Sequence, residues 1–321
     1  MAEVVLVHGI AQEQLAAATL EQQWVPALAG GVANYGDQVL ADRIWRSGTS
    51  AIDIRMGYYA TPFIDKDAQG SGGPDRQQLS EEAEQLTEEL ALAWLRAAAQ
   101  CAADPRDRTQ AQKALNILAA DPNDAQGRIR TAVGRPTLNA LAGLRWFAPF
   151  GMTVASKFVW RALSQVTRYL TDDEIRSYAQ DQVLHWIGPD TRLLIGHSLG
   201  SVVAYETLHR AYEAGHLPPS HCLTLITLGS PLGLDGIVYN RLHPQPPHVP
   251  PAAHRWDNFA APDDLVAAHL SLLTLFPPAM GASVSVTDHP NLDTGSKPHQ
   301  IEHYLTKPSV GKVVSETLNH N

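Results

Sequence analysis

Residues 191–215 read TRLLIGHSLGSVVAYETLHRAYEAG. An apolar run, Leu-Leu-Ile, enters a Gly-His-Ser-Leu-Gly pattern, and a helix-like run, VVAYETLHRAYEA, leaves it. A glycine-flanked turn with no chemistry would also fit the five residues alone. The flanking strand and helix narrow the choice. A strand-to-helix turn this sharp forces Ser198 out over the C-terminal edge of a sheet, and Gly196 and Gly200 give the room it needs. The following helix start places unpaired backbone N–H groups beside the serine oxygen. Ser198 is therefore read as a nucleophile.

The rest of the chain supplies a setting for such a turn. Residues 3–7 (EVVLV) form a continuous apolar run ending at His8-Gly9, the signature of a strand buried on both faces. A helix is expected over 18–33, a second strand over 51–59, and a Gly- and Asp-rich loop over 65–74. A helical stretch follows: 80–101 with Ser80 as N-cap and Glu81, Glu82 and Glu84 in its first turn, then 109–120, 124–133 and an apolar region over 137–170 broken by Pro149. A further helix over 171–187 stops at Gly188-Pro189. The strand and helix rhythm then returns, with strands at 192–195, 222–228, 255–260 and 283–287 and helices at 199–214 and 310–318, while PQPPHVPP over 244–251 is a stiff extended loop. Alternation of this kind implies an α/β fold with a mostly parallel sheet flanked by helices. The expected organisation is a core of 1–64 and 171–321, with 65–170 as a helical cap or lid insertion.

Composition bounds the partners. The 321 residues carry a formal net charge of −9 and 18% charged residues, so no basic stripe is available for nucleic acid. The opening MAEVVLVHGI has no basic leader and no small-residue cleavage site, and no apolar run approaches membrane-spanning length. Cys101 and Cys222 read as free thiols, and the expected location is cytoplasmic. The aromatic-rich stretch over 138–163 reads as helices packed on the core in preference to a lid that touches a lipid interface.

A nucleophilic serine needs a base, a carboxylate to orient the base, and donors for an oxyanion. On a strand–turn–helix scaffold the acid and then the histidine follow the serine in the chain. The run HRWDNFAAPDDLVAAHL ends a strand at a loop holding Asp263 and Asp264, before a helix-like run. One of the pair is the acid and the other a helix cap. For the base, His289, His299 and His303 lie beyond the last expected strand, and His299 and His303 could share a helix face. That pair also has a metal-like spacing, but no third ligand of matching context accompanies it, so neither metal nor cofactor is expected. The strand end at His8-Gly9 presents the Ile10 N–H as one oxyanion donor, and the Leu199 N–H is the other. His8, Gln12, Tyr59 and His197 are candidate substrate-binding residues.

Taken together, LVHGI, IGHSLGS, ITLGSPLGL, WDNFAAPDDLVA and KPHQIEHYLTKPSV resemble the α/β-hydrolase superfamily, and most closely its lipase-like bacterial serine esterases. The resemblance covers the first sixty residues and roughly 171 onward, and leaves out the helical insertion. It implies an α/β-hydrolase fold with the acid eight residues after Trp256 and two before Val266, at Asp264, although Leu265 stands where such sequences often carry proline. It implies His299 as the base, because that residue opens the segment leading to Tyr-Leu. It implies a small-molecule ester or acyl substrate, an acyl-enzyme intermediate, and a sheet shortened at the edge before the first strand. An acyltransferase or thioesterase with the same residues is the nearest alternative. A non-catalytic binding module on the same fold is a more distant one.

Overall fold

The computed structural model describes residues 1–46, 51–64, 79–119, 134–144, 152–217, 221–267 and 269–319. Six parallel strands form its centre: β1 (Val4–Val7), β2 (Ile54–Gly57), β3 (Leu193–His197), β4 (Leu223–Leu228), β5 (Ala253–Phe259) and β6 (Val286–His289). They lie in the order β2-β1-β3-β4-β5-β6. The chain steps outward from β1 to β2, then crosses back to β3 and proceeds the other way. The order therefore reverses at the pair β1 and β3, where the carboxyl ends of two neighbouring strands open a crevice.

Alternate residues explain why these runs are apolar throughout. Val5, Val7 and Leu194 point into one core, and Val4, Leu6, Leu193 and Ile195 into the other. The second core is closed by α1 (Ala17–Tyr35), α2 (Gln38–Trp45), α9 (Ile301–Leu305) and α10 (Pro308–Asn319). The first is closed by α7 (Asp173–Leu184) and α8 (Leu199–Glu213), together with the helical block α3 (Glu81–Cys101), α4 (Pro105–Ala119), α5 (Gly134–Ala142) and α6 (Met152–Thr171). Leu86, Leu90, Trp94, Leu141 and Leu163 of that block share one buried cluster with Val5, Val7 and Tyr59. The helical block thus packs on the sheet's own core.

Several expectations shift. The second strand is confined to Ile54–Gly57, matching the four residues that β1 offers it. β6 begins three residues later than expected and pairs from Val286 to His289 with Trp256 to Phe259. α2 was not anticipated. Gly36, at φ 111, ends α1, and the Asp37 carboxylate accepts the Leu40 N–H at 3.0 Å to start a new helix at once. No helix follows Asp264 among the described residues up to β6. Carboxylates satisfy amides there instead: Asp264 takes the Val266 N–H, and Asp288 takes those of Leu272 and Leu273. The helix expected over 124–133, the loop over 65–74 and the break at Pro149 lie outside the described residues. In the stretch over 138–163, Leu141, Leu144, Val159 and Leu163 are buried. Cys101 and Cys222 are not joined by a disulfide. Among the described residues, no helix is long and apolar enough to cross a membrane.

Three core histidines, His8, His197 and His209, are buried in neutral form. His8, just past β1, is held down to about 4 by burial. His209, on α8 against Tyr205 and His248, is held down to about 3 by burial and then by the His248 charge. In the unfolded chain each takes a proton near pH 6.5, whereas the folded chain resists it. The unfolded state binds more protons in that window, so stability is lost as pH falls through it. Between pH 7 and pH 5 we expect a loss of about 2 kcal/mol per histidine. Urea unfolding at the two pH values checks this, and His209→Gln should remove about a third of the difference.

Candidate active site

Ser198 joins β3 to α8 with φ 54 and ψ −130, a conformation that few non-glycine residues adopt. Its neighbours leave no room for side chains. A Cβ on Gly200 would lie 2.2 Å from the His8 carbonyl oxygen, and one on Gly196 would lie 2.6 Å from the Gly200 oxygen. Gly9 is equally confined, since a Cβ there would sit 2.8 Å from the Ser198 Cβ. The end of β1 therefore rests directly against the serine. The Ser198 N–H donates to Leu228 O at 3.0 Å, which fixes the turn to the end of β4.

The residue after Leu228 carries the geometry further. Gly229 has φ 54, and a Cβ on it would stand 2.8 Å from Asp264 Oδ2 and 3.2 Å from His299 Nδ1. Asp264 and His299 thus lie over the strand end that holds the serine backbone. His299 Nδ1 is 2.8 Å from Asp264 Oδ2, both side chains are largely buried, and His299 Nε2 is withdrawn from bulk solvent. A carboxylate can only accept, so Nδ1 carries the proton and Nε2 is left as an acceptor.

The competing histidines are engaged elsewhere, and Asp263 sits in a different setting from Asp264. Asp263 is half-buried, and its carboxyl is held above its ordinary value by burial and by the Asp264 charge. His289 Nε2 lies 2.8 Å from Asp257, with its ring stacked on Phe259. His303 Nδ1 bonds Thr294 O at 2.5 Å. His299 precedes α9 while His303 lies within it, so the two do not share a helix face. Among the described residues no group of three or more His, Cys, Asp or Glu is arranged to hold a metal ion.

The four expected substrate-binding residues have varied surroundings. His8 and Tyr59 are committed to each other. The Tyr59 N–H donates to His8 Nε2 at 3.1 Å, the Tyr59 hydroxyl donates to His8 O at 2.8 Å, and the rings stack at 4.2 Å. With both residues 1% exposed, this pair braces the end of β1 and presents no polar group to a ligand. Gln12 is half-buried and its Nε2 donates to Ile10 O at 3.1 Å. His197 is buried between Trp24 and His299, and its Nε2 donates to His299 O at 3.1 Å. Burial and the His299 charge hold His197 well below its ordinary value, so it acts as a neutral prop under the histidine loop. Of the two expected oxyanion donors, Leu199 opens α8, where an N–H has no intrahelical carbonyl to reach. Ile10 lies two residues past His8, beside Gly9.

One site residue escapes the sequence reading. The Tyr304 hydroxyl, on α9, donates to Asp264 Oδ2 at 2.7 Å and accepts the Ala261 N–H at 3.2 Å. Burial and the Asp264 charge push its ionisation well above the ordinary value, so it remains a donor. Its position five residues after His299 is the only signal in the sequence. Tyr304→Phe would leave Asp264 with one donor fewer and Ala261 with an unsatisfied N–H. We expect it to cost about 1–3 kcal/mol of stability, measured by urea unfolding.

No family model matches the chain, and no curated protein and no solved structure matches it either. What the protein does is therefore read from the site itself.

Proposed function

We propose that this protein is a serine hydrolase of the α/β-hydrolase type that cleaves a small-molecule carboxylic ester, with Ser198, His299 and Asp264 as its triad. The observation that carries this reading is the Ser198 backbone, at φ 54 and ψ −130, seated at a strand-to-helix turn beside a paired His299 and Asp264. A serine in that conformation is held by its surroundings, and such strain belongs with function.

In this mechanism His299 Nε2 takes the Ser198 Oγ proton as Oγ attacks the ester carbonyl. The Ile10 and Leu199 N–H groups receive the charge on the carbonyl oxygen. As the tetrahedral species collapses, His299 returns the proton to the leaving alcohol. Water, activated by the same imidazole, then attacks the acyl-enzyme and releases the acid and Ser198. Asp264 fixes the imidazole tautomer and stabilises its charged form without taking the proton. Tyr304 and the Val266 N–H hold Asp264 in place for that task.

The helical block serves as the cap in this reading. A cleft of about 720 Å³ runs between α3, at Leu92, Ala97 and Cys101, and the loops after β4 and β5, at Leu234 and Pro262. Its surface is largely apolar and borders the acid loop, which suits an acyl chain, while neither Ser198 nor His299 lines it.

A fluorophosphonate probe followed by peptide mass spectrometry tests the proposal. We expect label on Ser198 in the wild type and none in Ser198→Ala. With p-nitrophenyl esters of graded length, His299→Ala should lower kcat by about 10⁶-fold and Asp264→Asn by about 10⁴-fold, with the fold intact. Unchanged turnover in Ser198→Ala would sink the reading. Outcompetition of water by an added alcohol would redirect it to acyl transfer.

A further inference from the structure

The loop after β1 is held from outside the sheet. Ala11 has φ 61, a left-handed conformation unusual for a residue with a side chain. Its N–H donates to Gln165 Oε1 at 2.7 Å, across 154 residues of sequence. The other end of the same amide, Gln165 Nε2, donates to Glu13 Oε2 at 2.8 Å. The second Glu13 oxygen, Oε1, pairs with Arg161 Nη1 at 3.0 Å. Gln165 and Glu13 are 4% and 6% exposed, so these bonds form where water does not compete. Arg161 and Gln165 stand one turn apart on α6 and grip both ends of the turn that begins at Ile10.

Only one orientation of the Gln165 amide fits. A backbone N–H needs an acceptor on one side and a carboxylate needs a donor on the other, and the carboxamide supplies both. A carboxylate or an ammonium at this position would fail on one side.

We propose that Gln165, on the helical block, is a positioning residue for the oxyanion hole: through Ala11 and Glu13 it fixes the direction of the neighbouring Ile10 N–H. The inference rests on the hydrolase reading above and deepens it. Gln165 touches neither substrate nor reacting atoms. It acts on a donor one peptide away, whose aim matters because a donor stabilises an oxyanion only when pointed at the developing charge. The helical block then completes the catalytic machinery in addition to covering it. Motion that separates α6 from this loop disassembles the oxyanion hole.

The test uses the full chain, with fluorophosphonate labelling of Ser198 and turnover of a short p-nitrophenyl ester, both scaled to the folded fraction. Gln165→Met keeps length and bulk but removes both hydrogen bonds. It should lower kcat and the labelling rate constant by about 100-fold while leaving KM within about threefold. Gln165→Glu alone sets two carboxylates face to face and should do the same or worse. Combining Gln165→Glu with Glu13→Gln restores the donor and acceptor order. The carboxylate now on α6 accepts from the Ala11 N–H, the carboxamide now on the loop donates to that carboxylate, and Arg161 keeps an acceptor in the carboxamide oxygen. That double variant should recover to within about fivefold of wild type, which also covers the case in which Gln165→Met folds poorly. Labelling and kcat unchanged in folded Gln165→Met, or a swap no better than Gln165→Glu alone, overturns the inference while leaving the hydrolase reading in place. A wild-type protein that takes no label at Ser198 overturns the reading and this inference with it.

Discussion

Ser198 holds a backbone conformation that costs roughly 1–3 kcal/mol on its own, and the surrounding structure is arranged to keep it there. Its N–H is bonded to Leu228 O on β4, and its carbonyl receives the Ser201 N–H at 2.9 Å and lies 2.5 Å from Ser201 Oγ. Ser201 Oγ is in turn 2.6 Å from Ser230 Oγ, past the end of β4. From the other side, the Val7 and His8 carbonyls close on Gly200 so tightly that only a glycine fits. Three adjacent strands, β1, β3 and β4, therefore meet at one residue. Their register is that of an ordinary parallel sheet, and its regularity is what lets a single irregular residue be tolerated.

The second organising constraint is buried negative charge. Asp264 is 1% exposed and receives the Val266 N–H, the Tyr304 hydroxyl and His299 Nδ1. The same solution recurs at Asp257, which meets Arg255 and His289. It recurs again at Glu206, which meets Tyr169, Gln180 and the His243 N–H. A carboxylate taken out of water is costly unless its lone pairs are filled. Each of these groups consequently draws donors from segments far apart in the chain. At Asp264 the partners distant in sequence, Tyr304 and His299, come from α9 and the loop leading into it, which ties that segment to the loop after β5.

The parts of the site that were legible in the sequence are those encoded locally. A buried strand, two glycines and a helix start announced Ser198, and the His8-Gly9 strand end announced its neighbour. The choice between Asp263 and Asp264, or among His289, His299 and His303, depends on which side chains meet across long stretches of chain; periodicity does not carry that information, and only the family resemblance pointed to Asp264 and His299. His289 found Asp257 and His303 found Thr294, leaving His299 for Asp264. Tyr304 was hidden for the same reason, because a tyrosine one turn into a short helix looks like packing. α2 was hidden differently: Gly36 and Asp37 end one helix and begin the next within two residues, and a smooth apolar pattern runs across the joint. Carboxylates that satisfied backbone amides also removed the helix expected after Asp264.

The place of β1 in the sheet has a consequence for how the chain comes together. Residues 4–7 lie between β2 and β3, and β3 begins only at Leu193, far later in the chain. At ribosomal rates of about 5–20 residues per second, one edge of this strand waits roughly 10–40 s for its partner. β2 can dock during that interval, and α3 to α6 can collapse on one another through contacts close in sequence. The open edge of an entirely apolar strand is meanwhile a template for association with other chains. Expression temperature and chaperone supply therefore bear on the yield of this protein through the hydrogen-bonding groups of four valine and leucine residues, long before the sheet is complete.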